Sequence, residues 1–192
     1  NPFMNPDMYR CWAEIDRAAL RHNAHTLRER IGSSELIAVV KANAYGHGLP
    51  GVVQALADQA QLFGVANVEE AISLRSVANH PVIILGPALP AERLTIVENE
   101  FIPSISTLAE AREFDRLAGN TPLPICFVVD TGMGRMGTQE DEAADVFRDV
   151  ATLPNLTIHS VTTHPAVSNE DDPYTRPQLH RVVTLPLISL RG

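Results

Sequence analysis

The stretch "AVVKANAYGHGLPG" spans Ala38–Gly51, and how it is read decides both the fold and the chemistry. The run that leads into it, "ELIAVV" (35–40), has the β-branched, apolar composition of a buried strand, and it empties into a loop holding three glycines. Gly46, Gly48 and Gly51 keep the G-x-G-x-x-G spacing of a dinucleotide-binding turn. Lys41 supports the other reading. An amine where a buried strand meets a glycine-rich loop is what a Schiff-base cofactor needs.

Working outward, similar apolar runs recur at "QLFGVAN" (61–67), "PVIIL" (81–85), "EFIPSI" (100–105), "PICFVVD" (124–130) and "LTIHSVTT" (156–163). Between them, residues 49–60, 68–78, 90–98, 106–118 and 139–151 carry apolar positions at helical spacing. A further helix is expected at "DRAALRHNAHTLRER" (16–30), with Asp16 as N-cap. Repeated βα units with near-continuous apolar strands imply an α/β fold with a parallel sheet covered by helices. Both an open doubly wound sheet and a closed (β/α)8 barrel meet this description, and about six βα units are present. The apolar "VVTLPLISL" (182–190) reads as the start of another buried strand, so the expectation is one incomplete domain over residues 1–192.

The glycine spacing occurs again at Gly132, Gly134 and Gly137 in "DTGMGRMG", which lowers its specificity. In a dinucleotide fingerprint the first glycine turns the chain directly after the strand. Here Lys41 to Tyr45 intervene, and Pro50 removes an amide next to the third glycine. The acidic residue that such a site wants, Glu69 or Glu70, does not follow its strand directly, because "AN" stands between.

Lys41 does not stand alone. Arg135 follows "PICFVVD" in a Gly-Met-Gly-Arg turn, and His164 follows "LTIHSVTT". Three chemically capable side chains beyond the C-terminal ends of three strands is the pattern of a barrel-type site. Tyr45, four residues after Lys41, is placed to offer its hydroxyl to a phosphate over the same mouth.

Bulk properties narrow the class. The chain has 192 residues, 45% hydrophobic and 20% charged, enough for one substantial core. Its formal net charge of −8 argues against nucleic-acid or anionic-membrane surfaces, which need a basic field. Cys11 and Cys126 form no paired motif, so neither a disulfide framework nor a zinc site is expected. No metal is expected at His22 and His25, which lack a third ligand. No apolar run reaches spanning length, no leader is visible, and the expected setting is cytoplasmic. "NEDDPY" (169–174) reads as a solvated loop, and no serine lies in a hydrolase elbow.

"AVVKANAYGHG", "DTGMGRMG" and "TTHPAVSNEDDPYTRPQLHR", preceded by "CWAEIDRAALRHN", together resemble bacterial alanine racemase. The resemblance covers roughly Trp12 to Arg181 in the right order. It implies an (α/β)8 barrel holding pyridoxal 5′-phosphate, followed by a β-rich C-terminal domain, in a homodimer that interconverts L- and D-alanine and supplies D-alanine for peptidoglycan. By the resemblance Lys41 is the Schiff-base lysine and one catalytic base. Tyr45 contacts the cofactor phosphate, Arg135 faces the cofactor's phenolic oxygen and the substrate carboxylate, and His164 lies beside the pyridine ring.

The chain also departs from the family pattern. The family's second base, a tyrosine of the partner's C-terminal domain, matches none of Tyr9, Tyr45 and Tyr174. A lysine that buttresses the arginine in many members is Val128 here, and Pro165 replaces an aromatic residue. The expectation is therefore an N-terminal racemase portion without the C-terminal β domain. The alternatives are a non-catalytic pyridoxal-phosphate-binding homeostasis protein of the related single-domain barrel type, a dinucleotide enzyme, and a fragment that does not fold.

Overall fold

A computed structural model of the chain describes residues 10–167 and 173–184. Helix α1 (Arg17–Ile31) begins at Asp16, whose carboxylate accepts hydrogen bonds from the amides of Ala18 and Ala19, and it ends at Gly32. The chain then alternates β1 (Ile37–Val39), a short turn α2 (Lys41–Tyr45), α3 (Leu49–Leu56), β2 (Leu62–Val65), α4 (Val68–Arg75), β3 (Val82–Ile84) and α5 (Arg93–Glu98). It continues through β4 (Ile102–Ile105), α6 (Leu108–Ala118), β5 (Leu123–Asp130), β6 (Thr138–Gln139), α7 (Ala143–Ala151), β7 (Leu156–Thr162) and α8 (Thr175–Thr184).

Every strand pair is parallel. The order is β1-β2-β3-β4-β5, and β6 and β7 both pair with β5. Sequential parallel neighbours with helical crossovers are the staves of a (β/α)8 barrel, and the chain forms a partial one.

The register divides the core into two layers. Residues paired across parallel strands face the same side, so Leu62, Ile83, Ile102, Cys126 and Val128, with Leu85 and Met136, line the concave inner face. The alternate residues, among them Phe63, Val65, Ile84, Ile105, Phe127 and Val129, pack outward against the helices. Phe127 meets Phe147 of α7 edge-on, with ring centroids 5.4 Å apart. Ile37 and Val39 of β1 belong to the inner face by register with Leu62 and Gly64, yet they are 36% and 40% exposed. The inner face is thus open along β1.

All six expected strands are present. The two-residue β6 and helix α8 were not anticipated. The expected strand from 182 is corrected, because Val182, Val183 and Thr184 close α8. Val182 packs on the core while Val183 is exposed, so helical periodicity overrides the β-branched run. Residues 185–190 of that run, like most of "NEDDPY" and Tyr9, lie outside the described residues.

Phe127→Ala empties a fully buried aromatic site between sheet and α7. Chemical denaturation should show a loss of about 3–5 kcal/mol.

Candidate active site

The amide of Val40 still donates to the carbonyl of Gly64 at 2.8 Å, so the chain is tied to β2 up to the residue before Lys41. Beyond Lys41 the backbone changes hand. Ala42, Asn43, Ala44 and Tyr45 have φ of 51°, 55°, 54° and 54°, which is one turn of left-handed helix built from non-glycine residues. L-residues reach that conformation at about 1–2 kcal/mol each.

Local hydrogen bonds hold the turn. Gly46 N–H donates to Ala42 C=O at 3.1 Å, His47 N–H to Ala44 C=O at 3.0 Å and Gly48 N–H to Asn43 C=O at 3.0 Å. The Asn43 side chain accepts from Leu49 N–H at 2.7 Å, anchoring the turn to the start of α3. The turn leaves Lys41 half-buried at the C-terminal end of the sheet and Tyr45 59% exposed beside it.

The same bonds correct the dinucleotide reading. The amides of Gly46 and Gly48 are spent inside the turn, so they do not face a pyrophosphate. Gly51 lies within α3, and a Cβ there would meet nothing within 4 Å, so no close helix-to-sheet approach requires glycine.

Arg135 stands on the loop after β5, which is wound around the Asp130 carboxylate. That carboxylate accepts from Gly132 N–H at 2.9 Å and from Gly134 N–H at 3.0 and 3.1 Å. Burial alone would push the Asp130 carboxyl up, but the amides of Gly132, Gly134 and Met133 outweigh it and hold it below the ordinary carboxylate value. Gly137 takes φ of 120°, and a Cβ there would lie 2.6 Å from the Asp130 amide. The second glycine motif is therefore a loop that folds tightly back on its own strand and presents Arg135 to solvent.

His164 follows β7, next to Thr163, whose hydroxyl lies 2.8 Å from that of Thr131. A second fastening joins the same two loops. The fully buried Gln178 of α8 donates to Thr131 C=O at 3.0 Å and accepts from Ala166 N–H at 3.1 Å. Burial, followed by the positive charges of Arg135 and Lys41, lowers the His164 imidazole below its ordinary value. The charges of Arg135 and Lys41, both far away in sequence, thus reach the His164 imidazole at the strand ends.

Several supporting residues carried no clear sequence signal. Asp130 with glycines two and four residues later has the composition of a carboxylate-capped turn. Gln178 inside a polar helix is indistinguishable from a solvated residue until α8 is placed. Tyr174 donates its hydroxyl to Gly132 C=O at 3.3 Å. Val128, where the resemblance puts a buttressing lysine, is buried in the inner-face cluster. Among the described residues Arg135 makes no hydrogen bond or ion pair. His25 pairs with Glu29 at 3.4 Å on an exposed helix face.

Two outcomes follow from the charges. Arg135→Gln removes one of the cations that oppose protonation of His164, so the imidazole pKa read by NMR should rise toward about 6.5. Because the wild-type value is depressed, His164 subtracts stability as pH falls below that ordinary value, and the variant should narrow the window. Asp130→Asn replaces an acceptor oxygen facing two amides and should cost about 2 kcal/mol at pH 7. The depressed Asp130 value makes its contribution full above the ordinary carboxylate range and lost as pH falls through the folded value, so wild type and variant should converge in acid denaturation.

A family profile described as "Alanine racemase, N-terminal domain" matches residues 15–185. Alanine racemase of Nostoc sp. is 37% identical over 180 residues, covering 90% of this chain and 47% of the relative. The solved alanine racemase of Clostridium difficile 630 in complex with cycloserine superposes with a TM-score of 0.84 at 26% identity, covering 90% of this chain and 49% of that one. Histidine racemase from Leuconostoc mesenteroides superposes with a TM-score of 0.79 at 28% identity, covering 88% and 47%. The chain spans about half the length of the curated relatives it matches. No helix among the described residues is long and apolar enough to cross a membrane. By its profile match, its identity to these relatives and its fold, the chain belongs to the alanine racemase family, within the N-terminal domain.

Proposed function

We propose that residues 1–192 are the N-terminal barrel portion of a cytoplasmic, homodimeric pyridoxal 5′-phosphate-dependent racemase that interconverts L- and D-alanine for cell-wall synthesis. The observation that supports this reading is the family match over residues 15–185, with Lys41, Arg135 and His164 each following a strand of the parallel sheet and His164 sensing both cations.

The residues suit the cofactor. Lys41 is the single lysine among the 192 residues, so it is the one side-chain amine available to condense with an aldehyde. The cationic groups around it favour an anionic, phosphate-bearing partner, and the exposed Tyr45 hydroxyl is placed for the phosphate. When bound, the cofactor supplies an electron-withdrawing ring that acidifies the amino acid's Cα–H.

The protein's share is binding, orientation and proton transfer. Arg135 supplies the positive charge that orients a carboxylate. The depressed His164 keeps its imidazole neutral near pH 7, so it would line the site of a cofactor ring without adding charge beside Lys41 and Arg135. Lys41 Nζ takes or returns a proton on one face of the substrate. Inversion needs a second base on the opposite face. Among the described residues the tyrosines are Tyr45 and Tyr174, and the hydroxyl of Tyr174 is engaged at Gly132. By the family resemblance, that second base is a tyrosine of the partner subunit's C-terminal domain.

Alanine is the substrate proposed. The similarity to a histidine racemase makes histidine the competitor to assay beside it. Incubation with pyridoxal 5′-phosphate and borohydride, followed by peptide mapping, should place the label on Lys41, and Lys41→Arg should abolish it. A label confined to the chain's α-amine, or none, would overturn the reading.

A further inference from the structure

We propose that Glu70 is a positioning residue for Lys41. Its carboxylate spans from the amide of Ala42, the first residue of the left-handed turn, to the amide of Ala66 at the end of β2. It thereby fixes the direction in which the Lys41 side chain leaves the sheet. The inference rests on the Lys41 reading above and deepens it.

The geometry is that of a clamp between elements. Glu70 Oε1 accepts from Ala42 N–H at 2.8 Å, and Oε2 accepts from Ala66 N–H at 2.8 Å. Glu70 is itself fixed, because its own amide donates to the side chain of Asn67, the N-cap of α4, at 3.0 Å. The first N–H groups of a helical turn have no acceptor within that turn. Glu70 supplies one, from 28 residues away, at the peptide unit that joins Lys41 to Ala42.

A second glutamate separates this role from ordinary capping. Glu110 stands at the same third position of α6, behind the N-cap Thr107, and forms a complete capping box. Its Oε2 serves the amides of Ser106 and Thr107 at 3.0 and 3.2 Å, both at the start of its own helix. Glu70 serves its own helix with one oxygen only and sends the other to the Lys41 turn. If capping were its whole task, one oxygen would suffice, as it does at Glu110.

The two positions provide a matched experiment. Glu70→Gln keeps the size but turns an –NH2 toward one of the two amides, and Glu110→Gln is the capping control. The readouts are thermal midpoint, amide exchange at Ala42 by NMR, and the rate at which pyridoxal 5′-phosphate with cyanoborohydride labels Lys41. Both variants should lower the midpoint similarly. Only Glu70→Gln should speed exchange at Ala42 and slow labelling, each by about tenfold, equivalent to about 1.4 kcal/mol. If Glu70→Gln matches Glu110→Gln in exchange and in labelling, the proposal is overturned. Unprotected exchange at Ala42 in the wild type overturns it without any variant. A wild type that is not labelled, but whose Ala42 protection disappears in Glu70→Gln, overturns the cofactor reading and leaves the clamp supported.

Discussion

Four consecutive non-glycine residues in the left-handed region, Ala42 to Tyr45, set the terms for the rest of this structure. At about 1–2 kcal/mol each, the turn opposes folding by about 4–8 kcal/mol, comparable with the whole net stability of an ordinary domain. Such a turn persists only where its surroundings over-determine it. Here β1 is tied to β2 through Val40, Asn43 reaches the start of α3, and the buried Ala44 sits against the outer core. A right-handed continuation from Lys41 would simply have extended a helix from the strand end. The left-handed turn breaks the direction of the chain, leaves Lys41 at the mouth and returns the backbone to α3 within a few residues.

The site is assembled by polar links at the strand ends, above an apolar barrel wall. Leu62, Ile83, Ile102 and Val128 fill the inner face lower down, where packing alone defines the positions. At the C-terminal ends the elements are joined by directed bonds: the Thr131 and Thr163 hydroxyls, Gln178 between two loops, and Asp130 under its glycines. Packing defines the scaffold to within a side chain. Hydrogen bonds of fixed length then set the loops that carry Lys41, Arg135 and His164.

Much of this was legible in the sequence. Strand composition and helical spacing located the six main strands, because strands buried on both faces read as continuous apolar runs. Lys41, Arg135 and His164 stood out as candidates because each follows such a run. What stayed hidden depended on side chains whose partners are distant. Glu70 reads as a helix-start acid whose partner at Ala42 lies 28 residues away, and Gln178 reads as a solvated helix residue. Helix α8 was missed because its end resembles a strand, and β6 is too short to carry a period. The left-handed turn was invisible because alanine, asparagine and tyrosine do not advertise positive φ as glycine does.

The chain carries a net charge of −8, yet the charges of Lys41 and Arg135 both reach His164 at the strand ends. Attraction of the proposed anionic cofactor must therefore be local, because the long-range field of the whole molecule opposes it and is screened within about 8–10 Å. A local arrangement demands that each cation be held in place. For Arg135 no side-chain partner holds the guanidinium among the described residues, and Val128 is an apolar member of the inner-face cluster. Its position is set through the backbone instead, by Asp130 gripping the loop from within, by Gln178 of α8 and by Tyr174 just before that helix. Glycine at 132 is part of that arrangement, since a Cβ there would lie 2.7 Å from the Tyr174 hydroxyl. On the proposed reading, positioning by the loop leaves the guanidinium itself free to adjust to a carboxylate, whereas the buttressing lysine of the family pattern would hold it rigid. The cost is that the ligand must supply the last part of the ordering.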